Sequence, residues 1–135
     1  MATTNASISI SSSNMIPGMA MSYYKTTTLH KAGGCTGLSK IQSGNAEYTS
    51  ESTVALLDQS ALSVTANKAN KLYIKNLSTD TTEFFTITIN AEELGRLYAG
   101  DWMFIPWSAE DSSADVKVTP SVASSMKLEY VLMHE

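Results

Sequence analysis

At 135 residues the chain has room for one domain with a real core and not for two. Charged residues make up 16% of it, below the usual quarter, while the 43% apolar fraction is ordinary, and Ser and Thr fill the difference. A net charge of −4 argues against a nucleic-acid partner, because the nine cations are scattered and the one tight basic grouping, KANK (Lys68–Lys71), is too short to release many counterions.

No apolar run is long enough to span a bilayer as a helix, so no membrane partner is expected. The start of the chain has neither a basic region nor an apolar stretch of the secretory kind, and a single cysteine, Cys35, excludes an intramolecular disulfide. The expectation is a soluble protein made in a reducing cytoplasm.

The first 24 residues, MATTNASISISSSNMIPGMAMSYY, carry no charged side chain and hold four of the seven methionines: Met1, Met15, Met19 and Met21. Strict alternation at Ile8 and Ile10 in SISIS predicts a half-buried strand, and MIPGMAM turns through Pro17 and Gly18. Solvated tails are usually charge-rich. Residues 1–21 are therefore read as an uncharged N-terminal arm or edge strand, docked within the chain or onto a neighbouring subunit, ahead of a domain over 22–135.

Strand-like segments follow in series. SYYKTTTLH (Ser22–His30) precedes the glycine-rich KAGGCTGLSK (Lys31–Lys40). EYTSESTVALLD (Glu47–Asp58) reads as one strand with Tyr48, Val54 and Leu56 on one face. LSVT, KLYIKN, EFFTITIN, LGRLY, DWMFIPW, DVKVTP and MKLEYVLMHE continue the pattern. Alternation is clear at Leu72 and Ile74, at Phe85, Ile87 and Ile89, at Val116 and Val118, and at Met126, Leu128, Tyr130 and Leu132. Val131 and Met133 are also apolar, which predicts a last strand covered on both faces at its end. Strands spaced about ten residues apart indicate an all-β sandwich or barrel. The best helix candidate is NAEELGRLY (Asn90–Tyr98), with Asn90 as cap and Glu92 and Glu93 in the first turn. Gly95 and Gly100 limit it to one turn or an irregular crossing.

Chemistry-bearing patterns are weak. GGCTGLSK lacks the Gly-Lys-Ser/Thr order of a phosphate-binding loop and reads as a tight glycine turn. His30, Cys35 and His134 have no metal-ligand spacing, and AEDSSAD (Ala109–Asp115) lacks the alternate oxygens and central glycine of a calcium loop. No catalytic set, cofactor or metal is expected. LGRLYAGDWMFIPW holds both tryptophans and the sole arginine, Arg96. Trp102, Trp107 and Tyr98 could form a sugar platform with Arg96 as clamp, but alternation sends Trp102, Phe104 and Pro106 one way and Met103, Ile105 and Trp107 the other. A turn at AGD followed by a strand along an edge, ended by Pro106, is the reading adopted. Arg96 is then an ion-pair donor at an interface.

KLYIKN, the polar STDTTE, FFTITIN, GRLYAGDWMFIPW and the closing KLEYVLMHE, together with LHKAGGCTGL after a Ser-rich start, resemble small virion structural proteins of tailed bacteriophages, especially podophages of marine cyanobacteria. The resemblance spans most of the chain, and its motifs describe turns and packing. It implies a single jelly-roll-like β-sandwich with an extended N-terminal arm. The role it implies is head decoration or cement on the phage head surface, made in the host cytoplasm. The implied partners are the major capsid protein, sister copies, or both, with a homo-oligomer on the particle. Tail, neck or fibre-base components and a displayed carbohydrate-binding module are the alternatives. Ile8, Ile10, Met15, Met19, Met21, Arg96, Tyr98 and Trp107 are the expected interface residues.

Overall fold

The computed structural model of the chain describes residues 3–16, 18–110 and 115–135, and the side chains of residues 14–16 lie outside the description. Its elements are β1 (Asn5–Ile16), β2 (Met19–Thr28), β3 (Lys40–Tyr48), β4 (Val54–Leu57), α1 (Gln59–Leu62), β5 (Lys71–Asn76), β6 (Phe84–Ile89), β7 (Glu92–Tyr98), β8 (Trp102–Pro106), β9 (Val116–Pro120) and β10 (Met126–His134). The chain is all-β, as its alternating segments predict. β1 and β2 form a hairpin of their own; the other strands make two antiparallel four-stranded sheets, β3-β10-β5-β8 and β4-β9-β6-β7.

The two sheets share one core. Leu72 and Ile74 of β5 and Met126, Leu128 and Leu132 of β10 meet Phe85 and Ile87 of β6, Val116 and Val118 of β9, and Leu57 of β4. Each such side chain contributes about 1.5–3 kcal/mol by leaving water. Trp107, 2% exposed, closes the same cluster. Tyr48 meets Phe85 edge to face at 5.8 Å. Asn76 ties the sheets together at one end. Its side chain donates to the Leu97 carbonyl oxygen at 3.0 Å and accepts from the Ser78 amide at 2.9 Å.

Four expectations are corrected. NAEELGRLY is not helical. Asn90 and Ala91 both have positive φ (54° and 63°) and form the two-residue turn between β6 and β7, a geometry that matches strand twist. β7 then pairs along β6, with a register shift that leaves Leu94 unpaired beside Gly95. Pairing with the apolar β6 outweighs the local preference of Glu92 and Glu93 for a helix start.

EYTSESTVALLD is two strands in different sheets. β3 ends at Tyr48 and β4 begins at Val54, so the chain changes layers between them, and a register shift between Ala55 and Leu57 buries Leu57 while Val54 stays exposed. LSVT is no strand either. Asp58 caps α1 by accepting from the Ser60 and Ala61 amides, and Ser63 ends it in the left-handed region.

The fourth correction is an omission. Residues 40–46 form most of β3, although Gly44 and Asn45 argue against a strand. Gly44 lies opposite Tyr130 of β10, and a Cβ there would sit 3.0 Å from the Tyr130 hydroxyl oxygen and 3.2 Å from its ring. The glycine is the space that the tyrosine occupies.

The end of β10 is covered on both faces. Leu132 enters the main core, while Met133 joins Leu29 and Leu38 in a second cluster that takes in Ala6 of β1. That small cluster is the seat of the hairpin.

Candidate docking surface

The hairpin follows from the alternation of SISIS being matched by that of MAMSYYK. Pairing Ile8 with Lys25, Ile10 with Tyr23 and Ser12 with Met21 puts Ala6, Ile8, Ile10, Met21 and Tyr23 on one face. The other face is Ser, Thr and Asn with one aromatic ring, Tyr24. There Ser7 and Thr26 share a hydrogen bond, the Thr26 hydroxyl donates to the Tyr24 oxygen at 2.9 Å, and Thr28 donates to Asn5 at 2.9 Å. The bonds from Thr26 and then Ser7 hold the Tyr24 hydroxyl below the usual tyrosine value.

At its base the hairpin is tied to the body. The Leu29 amide donates to the Thr4 carbonyl oxygen, Thr4 donates its hydroxyl hydrogen to the Leu38 carbonyl oxygen, and Ala6 packs on Leu29, Leu38 and Met133. The glycine-rich loop behind it, where Gly33 turns with φ 70°, is pinned in turn: the Glu135 carboxylate accepts from the Ala32 and Ala69 amides. His134 is buried there. Its Nε2 accepts from the Gln42 amide nitrogen at 3.1 Å, which puts the proton on Nδ1, 3.2 Å from the Glu135 carbonyl oxygen. Burial, and then Lys40, push its pKa below the ordinary histidine value.

Beyond the base, among the described residues, β1 and β2 pair only with each other. Ile10 is 46%, Met19 61% and Tyr24 64% exposed. An isolated two-stranded ribbon is marginal in water, and one carrying this much apolar surface is a surface that expects a cover.

Facing the hairpin base is the outer side of the sheet β3-β10-β5-β8. Register places Tyr73 beside Phe104 and Val131, and Trp102 beside Lys75, so the aromatic rings form a row at the β8 edge. Tyr73 and Trp102 lie 6.2 Å apart, and the Tyr73 hydroxyl donates to Glu129 at 3.3 Å. Burial, then the Glu129 charge, raises the Tyr73 pKa. Between this row and the hairpin lies a groove of about 610 Å³, walled by Ala6 and Ile8 on one side and by Tyr73, Trp102, Phe104 and Met133 on the other.

The expected interface residues separate into three groups. Ile8, Ile10, Met19 and Met21 share the hairpin, and the side chain of Met15 lies outside the described residues. Arg96 and Tyr98 lie on the outer face of the other sheet, at its β7 edge. The Arg96 guanidinium sits 4.6 Å from the centre of the Phe84 ring, and Tyr98 is 5.2 Å from the same ring, so Arg96 rests on an aromatic pair. Trp107 is corrected: it is a core residue and presents no surface to a partner, because β8 ends at Pro106 and the chain turns inward, the Trp107 amide donating to Asn70. The sugar platform of Trp102, Trp107 and Tyr98 is therefore not assembled.

Sequence reasoning passed over Tyr23, Tyr24 and the Trp102–Phe104 pair as surface aromatics. The signal for Trp102 and Phe104 was present in the alternation of DWMFIPW; which of its faces looks outward was not. Among the described residues no three His, Cys, Asp or Glu side chains are grouped to hold a metal, and no helix is long and apolar enough to cross a membrane. Asp111, one of the carboxylates weighed for calcium, lies outside the described residues.

No protein-family model matches the chain, and no curated protein sequence matches it. A solved structure to which it is similar is a de novo designed double-stranded β-helix, at 11% identity over 72% of this chain and 100% of that one, with a TM-score of 0.36.

Proposed function

We propose that the chain is a structural protein of a viral particle, a head decoration or cement protein that binds the assembled shell and stabilises it. The observation that carries this reading is the hairpin: a ribbon anchored at its base, with one exposed apolar face whose single charge is Lys25, built to be covered by something else. In this role it is the N-terminal arm. The sequence resemblance to small phage virion proteins points the same way.

The strand order supports it further. Apart from β6 and β7, which pair in one sheet, successive strands from β3 to β10 alternate between β3-β10-β5-β8 and β4-β9-β6-β7, an order that fits the proposed jelly-roll sandwich. Jelly rolls serve as viral coat domains and also as lectins, so the fold alone does not choose a role. The low charge favours docking over solvation, and the proposed role asks for no catalytic group.

Mechanistically, a protein that binds the assembled shell and not its free subunits stabilises the shell by linkage, more strongly as its own concentration rises. The major capsid protein is the proposed partner, with sister copies alongside, on the outer surface of the head.

The test is the quantitative protein composition of purified particles, with tailless heads as the second sample. A copy number comparable with that of the shell subunit, retained in tailless heads, is the expected result. A few copies lost with the tail would move the protein to the neck or tail. A chain whose hairpin is shortened by replacing Ile8–Lys25 with Asn-Gly keeps the base pairs from Asn5–Thr28 to Ser7–Thr26. It should fold and no longer bind heads; saturating binding by that chain would sink the arm reading.

A further inference from the structure

We infer that the free edge of β3 pairs antiparallel with the same edge of a second copy, joining two four-stranded sheets into one across a two-fold axis. The inference goes beyond the virion role and does not rest on it. No β3 residue belongs to the hairpin or lines the groove, so this pairing leaves both uncovered.

The two sheets of the body have β3, β8, β4 and β7 as their edges, and all but β3 are blunted. β4 has four residues and a register shift between Ala55 and Leu57. β8 has five residues and ends at Pro106. β7 carries Glu92, Glu93 and Arg96 and is interrupted by a register shift against β6. Short length, bulges, proline and charge are the ordinary devices that keep an edge from pairing. β3 has none of them. It runs for nine residues in unbroken register with β10, and Ile41 through Ala46 carry neither charge nor proline. Among the described residues its backbone bonds only to β10, which leaves alternate N–H and C=O groups open on the other side. Ile41, Ser43 and Asn45 are exposed beside them. A row of open backbone donors and acceptors is recognised by another strand.

The charge pattern of β3 favours its own copy, in one direction. Lys40 stands at the start of the strand and Glu47 near its end. A parallel neighbour of the same sequence would set lysine on lysine and glutamate on glutamate. An antiparallel one brings the Lys40 end of each copy beside the Glu47 end of the other. A two-fold axis through Gly44 pairs the whole strand and opposes residues of equal parity, so the apolar faces of the two sheets stay on the same side. Ser43 then lies opposite Asn45 of the second copy, and Asn45 opposite Ser43, polar pairs suited to a cross-strand hydrogen bond. At the centre Gly44 meets Gly44, with no side chain between the backbones. Each edge is used once, so the assembly closes as a dimer.

The experiment uses the full chain in a Cys35→Ser background, with no particle present. A single strand pair is a contact at the weak end of specific interfaces, so sedimentation from ~5 μM to ~1 mM should show a dimer with a dissociation constant of about 10–500 μM. Copies bearing Ser43→Cys, mixed with differently tagged copies bearing Asn45→Cys, should be joined by a short bismaleimide. Copies bearing Glu92→Cys, on the edge of the other sheet, should not be joined to either. A chain carrying both Ser43→Lys and Asn45→Lys opposes like charges twice and should dimerise at least about tenfold more weakly. A chain carrying both Ser43→Glu and Asn45→Glu should behave alike, and an equimolar mixture of the two should regain the dimer. Melting temperatures should stay unchanged, since both side chains are exposed in the single chain. A monomer up to ~1 mM, or a dimer indifferent to the lysine pair, would overturn the inference. Saturating head binding by a chain that never dimerises would overturn it too and leave the virion role standing. A dimer rescued by mixing, in a protein absent from particles, would support it while removing that role.

Discussion

The hairpin and the two-sheet body use the same strand alternation with opposite outcomes. In the body, the apolar face of each strand meets the apolar face of the opposing sheet, and Leu72, Ile74, Phe85 and Val118 are fully buried. In the hairpin, the alternation of Ile8 and Ile10 is as strict, yet only Ala6 at the base finds a partner in the second cluster. Alternation specifies which side chains share a face. Whether that face is buried depends on another layer being opposite, and the body supplies one while the chain alone supplies none for the ribbon.

The difference can be broken from the body side. Trp107→Ala should cost about 3–5 kcal/mol in denaturant unfolding, because it empties a core that joins both sheets. Next in size, Gly44→Val should cost about 1–3 kcal/mol, since the added methyl groups compete with Tyr130 for the same space. Asn76→Ala should cost a similar 1–3 kcal/mol or slightly less, about the penalty of leaving the Leu97 carbonyl and Ser78 amide without their bonds.

The acid response should also belong to the body. The folded pKa of His134 lies below its unfolded value of about 6.5, so the folded state holds fewer protons in the window between them. Its contribution is complete above pH ~6.5 and is lost as pH falls through the folded value. Glu135, held low by the amides of Ala32 and Ala69, acts in the same sense below its ordinary value of 4.5. His134→Gln should remove the first phase of a melting-temperature profile and leave the second. A profile unchanged by that substitution would show that His134 titrates alike in both states.

The smallest effect sharpens the contrast. Ile10→Ser should change unfolding free energy by no more than about 0.5 kcal/mol, as expected for an exposed position. If it destabilises like a core substitution, the ribbon is packed on the body and the distinction between the two regions fails.

Much of the body was legible because burial on one face leaves a period of two in the sequence. β5, β6, β9 and β10 all show it, and Pro106 marks the end of the edge strand β8 as its missing donor requires. β3 was hidden because Gly44 makes room for a residue eighty-six positions away in sequence, a reason no local window contains. LGRLY was legible as a strand, but the start of β7 was read as a single helical turn because Asn90, Glu92 and Glu93 suit a helix locally, and only the neighbouring β6 reverses that choice. The candidate surface was half legible. Its hairpin residues stood out by lack of charge, whereas the groove depends on which strands are neighbours.

By itself, then, the sequence determined an all-β chain, the sidedness of most of its strands, the turn at Gly100 and a ribbon near one end whose apolar face carries one charge, Lys25. These are local quantities, set by side-chain period and by which residues tolerate positive φ. Only the tertiary structure decided the order of strands in the two sheets, the burial of Trp107 against the exposure of Trp102, and the meeting of the ribbon base with Met133. Those are pairings between distant segments. Their free energy comes from surfaces that exist only once both sheets are in place.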